Sequence, residues 1–466
     1  MLRKEQKPAA TTLPQLDTEP RDRTVVLSWN KLRPGARRAR HGGVSPFVIV
    51  SIGVFVAALA LAVDSATMWH ARVEMRNGAD AATLAAAGAL VDDELLTQRP
   101  SAMAAVADRA RQQALAYGLA NPVLGQPLEL DPNVAQNPLG DIVFGFMDSP
   151  HGDFQSATDL TDLHINTVRI IARRTRARGN PAGMLIARFF RMNAADVIAT
   201  ATAMLDRDVI GFRPHGNKPL PIAPLAILGD PSLSNDDAWE GQVVKPLLGR
   251  EGGGTDAFVF DRAKHTFIPV GGQITVGDGI PEMHVHIPLS GEPSVGEEPN
   301  GCFVQIGDAN WDALCRQITL GVTSADLAEF DGQFSLGWDN RMYLPGHFLA
   351  PGINDQHLGT LLNRLKTLQI GGEPRIWPLY GMAQNSTQDG LGIAVVQGFV
   401  AARLVSAEIG TAGEGTERDP KRRELSLILQ PCMIATGTAI TDAGRRHANP
   451  GVDIHNPYIC KVRLVE

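Results

Sequence analysis

VSPFVIVSIGVFVAALALAV, residues 44–63, is a run of twenty residues without one ionisable side chain. At 1.5 Å of rise per residue, a helix of that length spans roughly 30 Å, the hydrocarbon thickness of a bilayer. A buried core helix usually keeps a polar face, and this run has none, so it reads as a transmembrane helix. The flanks set its direction. Lys31, Arg33, Arg37, Arg38 and Arg40 crowd the N-terminal side, and Asp64 is the first charge beyond the run. The positive-inside rule then predicts a cytoplasmic segment 1–43 and an exported body from residue 64 onward. A cleaved signal peptide is the rival reading, with Ala60-Leu61-Ala62 as its cleavage site. The long leader, the length of the apolar run and the lack of a helix breaker before the cut favour a retained anchor.

Charge divides at the same place. The 466 residues carry a formal net charge of −7, but residues 1–43 hold ten Lys/Arg against four Asp/Glu, leaving −13 for the rest. A basic tail on an acidic body does not suggest a nucleic-acid-binding protein. The length implies two or three structural units, and 44% hydrophobic residues argue against wholesale disorder.

Helix should continue beyond the span, because residues 64–90 lack proline and end in the alanine-rich ADAATLAAAGAL. Val73, Asn77, Asp80 and Leu84 recur at steps of three or four and share one face; Ala82 and Ala85 supply small residues for close helix approach. These six residues form the predicted assembly face, and a homo-oligomer through the alanine-rich helix is compatible with it. A second helix is expected over 101–119, before Asn121-Pro122. Strands follow at 142–146, 164–174 and 184–190, then an alanine-rich helix at about 193–205 and a Pro-rich link at 218–228. Further strands are expected at 283–289, 375–381, 392–409 and 424–434, with helices at 311–318 and 354–368. The fold class is therefore α+β: one N-terminal transmembrane helix, a long Ala-rich continuation, and a β-rich exported region with a few helices. The expected divisions are tail 1–43, span 44–63, helical extension 64–125, β-rich domain 126–228 and C-terminal α+β domain 229–466.

Four cysteines, Cys302, Cys315, Cys432 and Cys460, all fall in the exported part. An even count in an oxidising compartment permits two disulfides in three connectivities, of which Cys302–Cys315 and Cys432–Cys460 are the near-neighbour choice. Four buried free thiols are the alternative. His284-Val285-His286 puts two imidazoles on one strand face, with His265, Asp278 or Glu282 as candidate third ligands; a solvated strand outweighs a metal. Glu251-Gly-Gly-Gly-Thr255 lacks the Gly-Lys-Ser/Thr ending of a phosphate loop. Arg169, Arg173, Arg174, Arg176 and Arg178 read as a solvated basic face, with an anionic partner as the lesser alternative. No catalytic constellation, cofactor or metal is nominated. A membrane-tethered enzyme or metal/ligand-binding protein using the C-terminal domain is the competing functional class.

Residues 37–92 carry a more specific pattern. A basic cluster and entry, RRARHGGVSP, lead to an apolar span ending in LAVD, followed by WHARVEMRNGADAATLAAAGAL. This pattern resembles the N-terminal anchor of the TadE/TadG-like Flp (tight adherence, type IVb) pilus-assembly family, TadG in particular. The resemblance extends more loosely over 140–228, through Gly145, Phe154, the Asn-Thr-Val-Arg of 166–169 and the Ala-rich stretch. It implies a single-pass protein of the bacterial inner membrane with a periplasmic body and a structural or assembly role. Its partners would be the membrane and other pilus-assembly or envelope proteins. Two family features do not carry over. The D-x-S-x-S of a von Willebrand A domain is absent, because Asp64-Ser65-Ala66-Thr67-Met68 lacks the final serine. Prepilin-type cleavage after Gly42 or Gly43 would put Phe47 or Val48 where that processing wants glutamate.

Overall fold

The computed structural model describes residues 45–184, 186, 194–271, 274–289, 299–308, 310–348, 355–384, 391–412, 422–448 and 455–465. The chain divides into two units, residues 1–58 and 59–466. In the first, every described side chain from Pro46 to Ala58 is exposed on a helix. That helix, α1, runs unbroken over Ser45–Ala89, as the proline-free, alanine-rich sequence predicts. Among the described residues, Pro46–Ala89 is the one helix long and apolar enough to cross a membrane.

In the second unit, the C-terminal half of α1 buries one side. Ala71, Met75, Ala79, Ala82 and Ala86 are fully buried at helical spacing, as is Leu90 just past the helix end. They share a core cluster with Met103, Val106, Ala110 and Ala114 of α2 (Ala102–Ala120). Gly78 lies on this side because a Cβ there would sit 3.0 Å from the Leu128 side chain. The Leu124 backbone N–H donates to Glu74 Oε2 at 2.7 Å, fixing the chain that leaves α2 against α1.

The first sheet joins distant segments in the order β18-β20-β6-β3-β1-β2. Its strands are β1 (Ile142–Phe146), β2 (Gln155–Ser156), β3 (Thr167–Arg174), β6 (Val197–Asp206), β18 (Ile434–Ala435) and β20 (Ile459–Val465). Between β3 and β6 lies the small hairpin β4 (Ala182–Gly183) and β5 (Ala194–Ala195). β6 corrects the expected helix at 193–205. Val197, Ile198, Thr200 and Thr202 are β-branched, and eight residue pairs with β3, from Thr167↔Met204 to Arg174↔Val197, outweigh alanine's helix preference. The strand expected at 184–190 lies largely outside the described residues.

A second sheet has the order β11-β17-β16-β14-β12-β8-β15, and β15 also pairs with β16, so five of its strands close into a ring. They are β8 (Leu225–Leu228), β12 (Gly301–Val304), β14 (Met342–His347), β15 (Arg375–Gln384) and β16 (Leu391–Ala412); β11 (Met283–Pro288) and β17 (Arg422–Pro431) extend the sheet from β16. Closure removes two exposed edges. The Pro-rich run 218–228 thus ends in a strand of this sheet. A third sheet is β13 (Phe334–Ser335), β7 (Val209–Phe212) and β19 (Ala439–Thr441); β9 (Phe258–Asp261) and β10 (Thr266–Pro269) form a hairpin. The helices α4 (Trp311–Leu320) and α5 (Asp355–Gly371) match their sequence expectations, and α3 (Lys245–Leu247) and α6 (Ala443–Ala448) are short. Asn310 caps α4, its side chain accepting the Ala313 N–H at 2.7 Å. The fold is mixed α+β.

An ion-pair network ties the α1–α2 connection to the C-terminal strands. Asp92 accepts from Arg262 and Arg109 (both 2.9 Å), while Asp93 accepts from Arg403 (2.8 Å) and from the Met433 N–H (2.6 Å). Both aspartates are buried, so these bonds are shielded from competing water. The helical extension is thereby clamped to the β-rich body at its far end.

Candidate assembly face and the other site residues

With one side of α1 sealed, what it presents outward follows from the 3.6-residue period. Trp69 is 67% exposed, and Val73 and Leu84 are each 38% exposed, despite being apolar. Asn77 is exposed and Asp80 half-buried on the same stripe. Burial raises the Asp80 carboxyl above its ordinary range, and Arg76 partly opposes this. The structure therefore groups Val73, Asn77, Asp80 and Leu84 and adds Trp69, which the spacing rule also captures four residues before Val73. Ala82 does not belong with them. It stands nine positions from Val73, about two and a half turns, so it points the opposite way into the core. Ala85 sits at the margin, half-buried.

The other end of this exposed stripe lies beside a buried acid. Asp64, the last residue of LAVD, is 6% exposed, and its carboxylate oxygens accept the Ile186 N–H at 3.0 and 3.2 Å. A carboxylate at that depth needs such a donor.

The two disulfides expected as near-neighbour pairs are not made: Cys302, Cys315, Cys432 and Cys460 are buried free thiols. For the second pair the reason is register. Parallel β18–β20 pairing sets Cys460 against Ala435, three residues beyond Cys432, or about 10 Å along a strand. Cys302 lies within the ring on β12, opposite Ala226, while Cys315 is on α4. Burial pushes the Cys432 thiol up to about 12 and Cys460 to about 11, which suppresses the reactive thiolate.

The five arginines of 169–178 do not share one solvated face: Arg174 is buried, Arg169 and Arg173 are half-buried, and Arg176 and Arg178 are exposed. Arg169 stacks 4.0 Å over the Phe154 ring and donates to Thr202. Arg173 and Arg178 both bind Asp141, which is fully buried. Arg174 donates to the Val123 and Asn180 carbonyls, and Arg176 to the Ala194 carbonyl. Each therefore has a partner within the chain, although Arg176 and Arg178 remain exposed. The Gly252–Gly254 run is likewise structural, since a Cβ on Gly254 would stand 1.8 Å from the Gln242 carbonyl oxygen.

Around the histidine pair the chain does bring polar groups together. Glu282, fully buried, accepts from the Ala257 N–H (2.8 Å), the Phe258 N–H (3.0 Å) and Thr255 Oγ1 (3.0 Å). Thr255 Oγ1 also lies 3.2 Å from His284 Nε2, and Gln430 Nε2 reaches both Asp278 and Glu282. His286 turns away to Glu424, 2.5 Å distant. Among the described residues, no group of three or more His, Cys, Asp or Glu could hold a metal ion.

Burial raises Glu282 to about 7, with Asp256 acting in the same direction against the three hydrogen bonds. A carboxyl raised in the folded state is penalised when both states are ionised, and the penalty vanishes once both are protonated. Glu282 therefore destabilises the body by roughly 3 kcal/mol at pH 8, relieved as pH falls from about 7 to 4.5. Melting of the purified chain across pH 5–8 is expected to vary less in Glu282→Gln than in the wild type. Identical profiles would show that Glu282 does not titrate there.

No curated protein and no solved structure matches the chain. Residues 42–89, almost all of them in α1, match the family model described as "Putative Flp pilus-assembly TadE/G-like", so this segment of the chain is similar to that family.

Proposed function

We propose that the chain is a single-pass protein of the bacterial inner membrane, with its N-terminus cytoplasmic and its body periplasmic. Its role is structural: it assembles a Flp/Tad-type pilus, or a related envelope apparatus, through helix packing and protein contacts rather than catalysis. The observation that carries this reading is the asymmetry of the family-matched helix. One side is sealed by the body, while Trp69, Val73, Asn77, Asp80 and Leu84 stand outward on the other. Apolar residues held at exposed positions beside a membrane span, with an amide and a carboxyl among them, suit packing against another membrane-anchored helix of the apparatus. The basic residues before the span support the orientation.

Cysteine scanning tests both parts. With the native thiols buried, Asn77→Cys or Leu84→Cys in cells is expected to give a cross-linked adduct with a pilus-assembly protein. A Gln112→Cys variant, exposed on α2, should react with a membrane-impermeant maleimide applied from the periplasm. Failure of both stripe positions to cross-link to any envelope protein would remove the assembly reading. Labelling of Gln112→Cys only after the inner membrane is opened would reverse the topology. An adduct with a second copy alone would make the partner the chain itself.

A further inference from the structure

A cleft of about 280 Å³ opens where the end of β7 meets β19 and β20, and its charged lining is almost entirely cationic. Arg213 and His215 enter from the segment after β7, Lys461 and Arg463 from β20, and the hydroxyl residues Thr438 and Thr441 from the β19 side. Three permanent cations therefore meet in one cavity. What holds them is mostly neutral oxygen. Lys461 Nζ donates to the Ala439 carbonyl (2.9 Å), Arg213 Nη2 to the Gln333 amide oxygen (2.6 Å), and Arg463 to the Thr441 hydroxyl. The carboxylate that faces them is Asp206, 3.2 Å from Arg463 Nε and itself accepting from Thr441.

Like charges so placed repel unless an anion joins them, and among the described residues the one carboxylate paired with them, Asp206, leaves two positive charges over. Burial, followed by Arg463, lowers the Lys461 ammonium below its ordinary range, and Asp206 opposes this. Lys461 has three donors and Arg213 five, so donor capacity exceeds the acceptors found among the described residues. We propose that this cleft binds the phosphoryl group of a phosphate monoester. A dianion matches the two uncompensated charges, its oxygens suit the Arg213 guanidinium, the Lys461 ammonium, the remaining Arg463 donors and the Thr438 hydroxyl, and the volume leaves room for part of the molecule carrying it. A monocarboxylate would leave one cation unmatched. The proposal is independent of the assembly role.

The test uses the detergent-solubilised full chain and calorimetric titration with inorganic phosphate, glycerol 1-phosphate, glycerophosphoglycerol and acetate. Saturable binding of the first two is expected, weakened about tenfold or more in Arg213→Gln and Lys461→Met. Arg213 is exposed, so its replacement keeps the fold, and unliganded melting checks this for both variants. Glycerol 1-phosphate binding more tightly than phosphate would show that the cleft also holds the group carrying the phosphoryl, whereas glycerophosphoglycerol, a monoanionic diester, binding as tightly as phosphate would overturn the match to a dianion. Acetate binding as well as phosphate, no saturable phosphate binding, or unchanged affinity in both folded variants would each overturn the proposal.

Discussion

Ala82→Glu is expected to stop the folded chain from accumulating, while Leu84→Glu, two residues away, leaves accumulation unchanged and removes the cross-links of the outer stripe. The contrast follows from the phase of α1. Ala82 is fully buried in the core shared with α2, whereas Leu84 is 38% exposed. Glutamate at position 82 must bury a carboxyl with no partner among alanines and methionines, besides forcing extra volume into a close-packed contact. The combined cost is roughly 4 kcal/mol or more, a large share of the ~5–15 kcal/mol that holds an ordinary domain together. At position 84 the same carboxyl stays hydrated, and its folding cost is about 0.5 kcal/mol or less. It does, however, put a charge where a neighbouring helix would pack. Immunoblots of membrane fractions together with thermal melts decide the matter. Equal accumulation and equal melting of the two variants would mean that the buried and exposed sides of α1 are assigned the wrong way round.

That distinction bears on what a sequence can tell. The long apolar helix, its continuation to residue 89 and the outward stripe were legible, because composition and helical period are local properties. The direction of Ala82 was legible too, since nine positions at 100° each give half a turn, but small residues invite grouping by kind rather than by angle. β6 was hidden by its alanines. Only the long pairing with β3 on one side and β20 on the other makes a strand of it, and those partners lie outside any local window. The cysteines illustrate the same limit, for sequence spacing suggested Cys432–Cys460 and a parallel register separates them. Neither the Glu282 cluster nor the cationic cleft leaves a motif, because each is assembled from segments brought together by sheet order.

Asp141 is the sharpest case of a long-range partner, and its removal is the second large effect expected. The basic run at 169–178 looked solvated because its counter-charge lies about thirty residues earlier in the chain. Asp141 is fully buried, yet both oxygens are engaged: Arg178 Nη2 donates at 2.7 Å, Arg173 and the other Arg178 nitrogen also bond, and the Asp131 N–H donates at 2.9 Å. Asp141→Ala strands two guanidiniums and one backbone N–H at once. Breaking a buried pair costs about 3–5 kcal/mol, and the partial exposure of the two arginines, 20% and 29%, lets water recover some of it. A loss near 3 kcal/mol in urea unfolding is therefore expected. Arg178→Ala should cost clearly less, because Arg173 still neutralises the carboxylate. In the double variant Asp141→Ala/Arg178→Ala the two losses should fall short of their sum, the signature of a shared interaction. If Asp141→Ala unfolds within about 0.5 kcal/mol of the wild type, the clamp has no energetic weight, and β1 and β3 are held by their ladder and apolar faces alone.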